Sequence, residues 1–359
     1  MSNIMINKVC NLDCPYCFAN DYVNVHDNNL RVSSNMTIEN YQKSLEFALK
    51  IGTSRIGILG GEPTLHPEFK EILKITKQKD LPIMLFTNGV YIDKYYDIIE
   101  GQNVNLLINC NSEKIMGKKQ FKRMYDNITY MVKENIKQPA LPPYLSSVNE
   151  IGTVTLGLNM YEPGFEYEHI IDLVKETGIK KIRTSIAVPN TEEKTDSATK
   201  EYFYSVKPTM IEFFLRLKEL GAVPIFDCNK IPLCVLTPEE VTLLDSFNLY
   251  EDSCGNCKRI TNTNLLDGSN CSPVIDILPD LSILRCFGLS GKFVKKIDDF
   301  KEPLEVIDYY YQKFDSMAYT IPTFEDCIDC PAALKRKCMG GCLAFKMSKY
   351  DKVHEIITN

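Results

Sequence analysis

Arg55-Ile56-Gly57-Ile58-Leu59-Gly60-Gly61-Glu62-Pro63 reads as one short apolar strand running without a break into a glycine turn. A near-continuous apolar run bounded by Gly and Pro is the mark of a strand buried on both faces, as in parallel sheets. The same pattern recurs at residues 3–9, 82–89, 103–111, 153–160 and 180–188. Between these runs the apolar spacing changes to that of helices. Thr37 is placed as an N-cap before Tyr41, Leu45, Ala48 and Leu49, with Gly52 just past the end. His66 and Pro67 open a helix carrying Phe69, Ile72 and Leu73, and a short helix follows from Tyr91 to Glu100. Phe121, Met124, Ile128 and Met131 mark a longer one, and Ile170, Ile171 and Val174 mark another before Gly178. The stretch around Pro139, Pro142 and Pro143 is expected to be a loop. Six strand–helix units within residues 1–190 define an α/β fold, either a partial β/α barrel or an open doubly wound sheet. Periodicity leaves both open.

The bulk properties narrow the function. The 359 residues are 44% hydrophobic, enough for two domains. A formal net charge of −6 argues against a polyanion-binding surface, and so against nucleic acid as a partner. No signal-peptide apolar region precedes Cys10, and no apolar run approaches membrane-spanning length. The expectation is a cytoplasmic protein with no membrane partner. In that compartment the 14 cysteines are expected to bind metal or do redox chemistry rather than form disulfides.

The cysteines cluster. Cys10, Cys14 and Cys17, in C-N-L-D-C-P-Y-C, have C-x3-C-x2-C spacing. Three thiolates in one loop can hold three corners of an iron–sulfur cube and leave the fourth iron open to a small molecule. The rival reading is a zinc site completed by a ligand such as His26, but structural zinc sites usually show paired C-x2-C or Cys/His knuckles. Both this loop and Gly60–Pro63 follow strands, at the strand ends where βα folds bind ligands.

With Tyr16 just before the third cysteine and Gly60-Gly61-Glu62-Pro63 downstream, the sequence resembles the radical S-adenosylmethionine (SAM) enzymes. The resemblance selects the partial (β/α)6 barrel. It implies a 4Fe–4S cluster on Cys10, Cys14 and Cys17, with SAM chelating the open iron. Gly60 and Gly61 would let backbone groups approach the ligand, Glu62 would accept from its ammonium, and Pro63 would complete the turn. Tyr16 would contact the adenine, and Asn109 and Asn159 are candidates for its ribose or carboxylate. In this family an electron from the cluster splits SAM into methionine and a 5′-deoxyadenosyl radical, which takes a hydrogen atom from an unreactive carbon.

Residues 191–253 read as a helical bridging region, with a helix interrupted by Pro208 and carrying Met210, Phe213, Phe214 and Leu217. Beyond Gly221 strands shorten and ten cysteines follow. Cys271 and Cys286 flank an insert that reads as a hairpin turning at Pro279 and Asp280. Cys327, Cys330, Cys338 and Cys342 follow as C-x2-C-x7-C-x3-C. Residues 254–359 resemble the Cys-rich SPASM extension of radical SAM enzymes, which houses auxiliary 4Fe–4S clusters. The chain departs from that pattern in having seven residues between Cys330 and Cys338 and no cysteine after Cys342. Cys254 and Cys257 restore a count of eight. The expectation is that Cys254, Cys257, Cys271, Cys286, Cys327, Cys330, Cys338 and Cys342 hold one or two auxiliary clusters, with Cys271, Cys286 and Cys342 sharing one. Cys228 and Cys234 are rival ligands, and one or two zinc knuckles are the alternative use of the C-x2-C pairs.

Cys110 reads as a buried apolar residue and His66 as a helix-opening residue. The resemblance implies a peptide or protein substrate, matured by a thioether or carbon–carbon cross-link or by residue oxidation, and an electron donor of flavodoxin or ferredoxin type. Only nine residues precede Cys10, so a separate leader-binding protein is expected where a leader must be held. The alternatives are a small-molecule substrate, a non-catalytic iron–sulfur electron carrier and a zinc-stabilised interaction module.

Overall fold

The structure, a computed structural model, describes residues 2–23, 34–101, 103–141, 152–187, 199–226, 229, 231–247, 274–289, 292–317, 320–334 and 340–346. Among the described residues eleven strands form one sheet. They are β1 (Ser2–Met5), β2 (Ile56–Leu59), β3 (Ile83–Thr87), β4 (Val104–Asn109), β5 (Gln138–Pro139), β6 (Thr153–Met160), β7 (Lys181–Ile186), β8 (Val223–Phe226), β9 (Ile275–Ile277), β10 (Ser282–Leu284) and β11 (Lys295–Lys296). Their order is β11-β10-β9-β1-β2-β3-β4-β6-β7-β8, with β5 beside β6.

From β1 to β8 every pairing is parallel and follows chain order. Order without reversal decides between the two α/β architectures. Right-handed crossovers that always advance in one direction put every helix on one face, as in a barrel, whereas a doubly wound sheet must reverse. The helices α1 (Ile38–Lys50), α2 (Phe69–Lys77), α3 (Tyr96–Ile99), α4 (Glu113–Met116), α5 (Lys118–Lys133), α6 (Glu168–Thr177) and α7 (Lys200–Glu219) supply these crossovers. Their apolar stripes, such as Tyr41, Leu45 and Ala48 of α1 and Met124, Ile128 and Met131 of α5, join one core with Ile4, Ile58, Leu85, Leu106, Ile108, Leu156 and Ile182 of the strands. The Thr37 hydroxyl caps α1 by accepting from Asn40 N–H at 3.1 Å.

Three details differ from the reading of the sequence. The stretch at Pro139 is a short parallel strand on β6 rather than loop. Pro208 does not interrupt α7, which runs unbroken through it. Phe203 and Val206 before the proline and Met210, Phe213 and Phe214 after it all bury on one face, and that shared burial outweighs the lost backbone bond. Val223–Phe226 adds a seventh strand to the parallel path inside the stretch expected to be helical, with Pro224 tolerated because β8 is an edge.

The hairpin after residue 273 forms as the sequence predicts. β9 and β10 are antiparallel, turning through Pro279 and Asp280, with Leu281 at φ 66°. β9 also lies parallel to β1, Ser2 opposite Ile275 and Ile4 opposite Ile277, so the hairpin continues the sheet past its first strand. A small second core joins the two pieces: Met5, Ala19, Leu59, Leu278, Leu284 and Phe287, with Cys17, Tyr22 and Phe86 against it. No described helix is long and apolar enough to cross a membrane.

Candidate functional site

Cys10, Cys14 and Cys17 leave the C-terminal end of β1 in a loop turned by Cys17 N–H donating to Cys14 O at 3.0 Å. All three side chains are half-buried. Burial pushes the Cys10 thiol up, and burial followed by the neighbouring Cys17 pushes Cys14 up to about 12. Two donors oppose this. Leu12 N–H reaches Cys10 Sγ at 3.4 Å, and Asn111 Nδ2 reaches Cys14 Sγ at 3.2 Å. A triplet of desolvated sulfurs met by N–H donors fits an iron–sulfur group, whose cationic irons hold the thiolate form that burial alone disfavours. Among the described residues no three Cys, His, Asp or Glu side chains converge as ligands to a single ion. Thiolates of a cube need not do so, because each binds a different iron.

The second motif is stitched to the first. Gly61 N–H donates to Asn7 O at 2.9 Å, Glu62 N–H to Val9 O at 2.8 Å, and Asn7 Nδ2 to Glu62 O at 2.9 Å. The two glycines are required by this seam: a Cβ on Gly60 would lie 2.0 Å from Asn7 Oδ1, and one on Gly61 2.5 Å from Val9 O. The closest approach they allow is therefore to the chain's own strand exit.

Glu62 is fully buried, and that burial raises its carboxyl above the ordinary range. Its Oε1 accepts from Thr64 N–H at 3.1 Å, Thr64 Oγ1 at 2.5 Å and Thr87 Oγ1 at 2.7 Å, and its Oε2 from Asn88 N–H at 2.7 Å. One side chain thus ties the turn after β2 to the end of β3. Pro63 is buried and starts the single turn that Glu62 caps. Asn88 in turn donates from Nδ2 to Asn11 Oδ1 in the cysteine loop at 2.8 Å.

Tyr16 packs its ring on Tyr161 with centroids 4.6 Å apart and donates its hydroxyl to Asn111 Oδ1. Asn159 Oδ1 accepts from Arg183 at 3.0 Å and from Ser185 at 2.6 Å. Asn109 Oδ1 is buried and has no hydrogen-bond partner among the described residues, as a site polar atom awaiting a ligand would be. The sequence reading missed Asn111, Asn88, Asn11, Arg183 and Ser185.

At the other end of the chain Cys286 and the turn Phe287–Leu289 abut the turn that starts after Cys342. A Cβ on Gly288 would be 2.9 Å from Ala344 Cβ and 3.8 Å from Cys286 Sγ. Cys342 is buried, and Cys327 and Cys330 are half-buried. Cys234 is exposed and near enough to Lys200 to act on its charge; Lys200 pairs with Asp326, beside Cys327. Cys228, Cys254, Cys257, Cys271, Cys338 and His26 lie outside the described residues. Cys110 is fully buried with Sγ donating to Ile108 O at 3.3 Å, and His66 is buried between Met36 O and Glu68 N–H.

Residues 4–149 match the family model of the radical SAM superfamily. The matched stretch holds both the cysteine loop and the Gly60–Pro63 turn. A GTP 3',8-cyclase of Synechocystis sp. is 29% identical over 116 residues, which is 32% of this chain and 34% of that protein. The chain spans about a third of the length of the curated relatives it matches. Streptococcus suis SuiB bound to S-adenosylmethionine shares the fold at TM-score 0.58 and 15% identity, covering 95% of this chain and 72% of SuiB. SuiB bound to precursor peptide SuiA gives 0.57 at 16% identity, covering 95% and 71%.

Proposed function

We propose that the chain is a radical SAM enzyme of the SPASM subgroup that acts on a carbon of a peptide or protein. The observation that carries this reading is the seam at the ends of β1, β2 and β3, where one buried carboxylate, Glu62, and two glycines fix the cysteine loop against the Gly60–Pro63 turn. In this reading Cys10, Cys14 and Cys17 hold the 4Fe–4S cluster. Gly60, Gly61, Glu62, Pro63, Tyr16, Asn109 and Asn159 border the SAM site, Asn109 with its unpartnered oxygen and Tyr16 with its ring face. The bound pair supplies one-electron cleavage of the sulfonium and hydrogen-atom abstraction from the substrate. The protein's part is to position the reactants and keep water out.

Cys254, Cys257, Cys271, Cys286, Cys327, Cys330, Cys338 and Cys342 are the auxiliary ligands in this reading, with Cys228 and Cys234 as rivals. The packing of the Cys286 turn on the Cys342 turn supports a shared cluster for those two. Support for a peptide comes from the fold shared with SuiB across 95% of the chain, SuiB having been crystallised with a precursor peptide. The external electron donor is a flavodoxin or ferredoxin, and a separate leader-binding protein completes the peptide complex.

The test is formation of 5′-deoxyadenosine by anaerobically reconstituted protein given peptides encoded beside its gene. Stimulation by one of them, with a mass change in that peptide, is the expected result; no response to any would sink the peptide assignment. A small-molecule substrate is the second reading, favoured by the sequence identity to a GTP 3',8-cyclase. GTP in the same assay separates them.

A further inference from the structure

Three side chains at the cysteine loop line up donor to acceptor. Tyr16, between Cys14 and Cys17, donates its hydroxyl to Asn111 Oδ1, which turns the other end of that amide, Nδ2, onto Cys14 Sγ at 3.2 Å. An amide oxygen can only accept, so the Tyr16 hydroxyl fixes which way Asn111 faces. Both bonds run the same way, from the phenol to the sulfur.

We propose that Tyr16 and Asn111 form a polarised hydrogen-bond chain that sets the electron affinity of the iron–sulfur group at Cys14. This rests on the assignment of Cys14 as a cluster ligand. Aligned hydrogen bonds in a low-dielectric interior polarise one another, so the bond from the Tyr16 hydroxyl is felt at Cys14 as a stronger N–H donor. A donor on a ligand sulfur draws charge from the cluster and raises its reduction potential. Asn111, buried with 5% exposure, is a positioning residue that acts through Cys14, and Tyr16 acts through Asn111.

The decisive measurement is an electron-spin-resonance redox titration of the reconstituted protein, reading the signal that Cys14→Ala abolishes and that added SAM perturbs. Asn111→Leu is expected to shift the midpoint negative at unchanged iron content. Tyr16→Phe keeps the ring on Tyr161 and is expected to shift it the same way by less. A merely structural role would lower the melting temperature and leave the potential where it was. Wild-type iron content with an unmoved midpoint in both Asn111→Leu and Tyr16→Phe overturns the chain alone. Should Asn111→Leu misfold, Tyr16→Phe decides by itself. Absence of iron from the wild-type protein overturns the cluster assignment and the chain with it.

Discussion

Asn3 Nδ2 donates to Asp276 Oδ1 at 2.7 Å, joining β1 to β9 across 273 residues of chain. The other carboxylate oxygen of Asp276 accepts from Phe287 N–H at 3.0 Å, the residue after Cys286. One buried acid therefore couples the strand that leads into Cys10 to the hairpin that leads into Cys286. Burial raises Asp276 to about 7. A carboxyl whose folded value lies above its unfolded one binds more protons in the native state, so its contribution to stability is whole near pH 4 and is lost as pH rises through about 7. Melting temperature is expected to fall between roughly pH 4 and pH 7, and Asp276→Asn is expected to flatten that fall at the cost of one of the two bonds, because its NH2 group must face Asn3 Nδ2 or Phe287 N–H. Asp276→Ala should cost about 1–3 kcal/mol near pH 4, where the carboxyl's contribution is whole, because Asn3 Nδ2 and Phe287 N–H are left unmet. A wild-type melting profile with no decline over this range would remove the assignment.

Glu62 accepts four hydrogen bonds from Thr64, Thr87 and Asn88. In Glu62→Gln an NH2 group must face at least one of these donors, at a cost of about 1–3 kcal/mol. The urea midpoint of the cluster-free protein is expected to drop accordingly. SAM affinity of the reconstituted protein should weaken at least about tenfold through displacement of the turn. An unchanged midpoint would mean that the carboxylate does not brace the turn.

Gly61→Ala tests the seam from the other side. Its Cβ would meet backbone atoms of Val9 and Cys10, between 2.5 and 2.9 Å away, and backbone cannot rotate aside as a side chain can. The turn and the cysteine loop must separate, so iron uptake on reconstitution is expected to fall by half or more. Gly52→Ala is the control, because nothing lies within 4 Å of its Cβ and only its φ of 81° opposes the change.

Much of this site could be read before any coordinates, because its chemistry lies in local motifs: three cysteines in one loop, and two glycines with a glutamate after one strand. The partners of those motifs could not, since Asn111 reaches Cys14 only once the end of β4 lies beside the cysteine loop. A weak signal existed. Asn3 and Asn7, Asn105 and Asn109, and Asn159 interrupt apolar strands at even spacing, which puts them on one face of the sheet, away from the helices. Reading those runs as uniformly apolar concealed a polar face. β8 was missed because four residues with a proline carry too little pattern, and α7 was split because a proline rule is local whereas the burial that overrides it is not.

Lys137 is the counterpart at the opposite end of the strands. It is fully buried, with Nζ donating to Gly101 O at 3.0 Å and Val104 O at 2.5 Å, at the start of β4. Burial lowers it to about 7. A base depressed on folding favours the native state only above its unfolded value, and that contribution is lost as pH falls through about 7. Lys137→Met is expected to abolish this part of the pH profile, opposite in sign to that of Asp276. SAM cleavage should stay within about twofold of wild type, because the strand starts serve stability rather than chemistry. A larger loss would show that this end of the strands communicates with the cysteine loop.

Iron stoichiometry separates the cysteine sets. With three 4Fe–4S clusters the anaerobically purified protein carries about twelve irons per chain, and with two it carries about eight. The Cys286 and Cys342 turns pack together, so Cys286→Ala and Cys342→Ala should each remove the same four irons, and the double variant no more than either. Cys327→Ala and Cys330→Ala are expected to remove a different four. SAM reduction without substrate should survive all of these and fail in Cys10→Ala, Cys14→Ala and Cys17→Ala. If Cys286→Ala and Cys342→Ala together lose eight irons rather than four, the two residues belong to separate clusters, and Cys234 becomes the leading ligand beside Cys327.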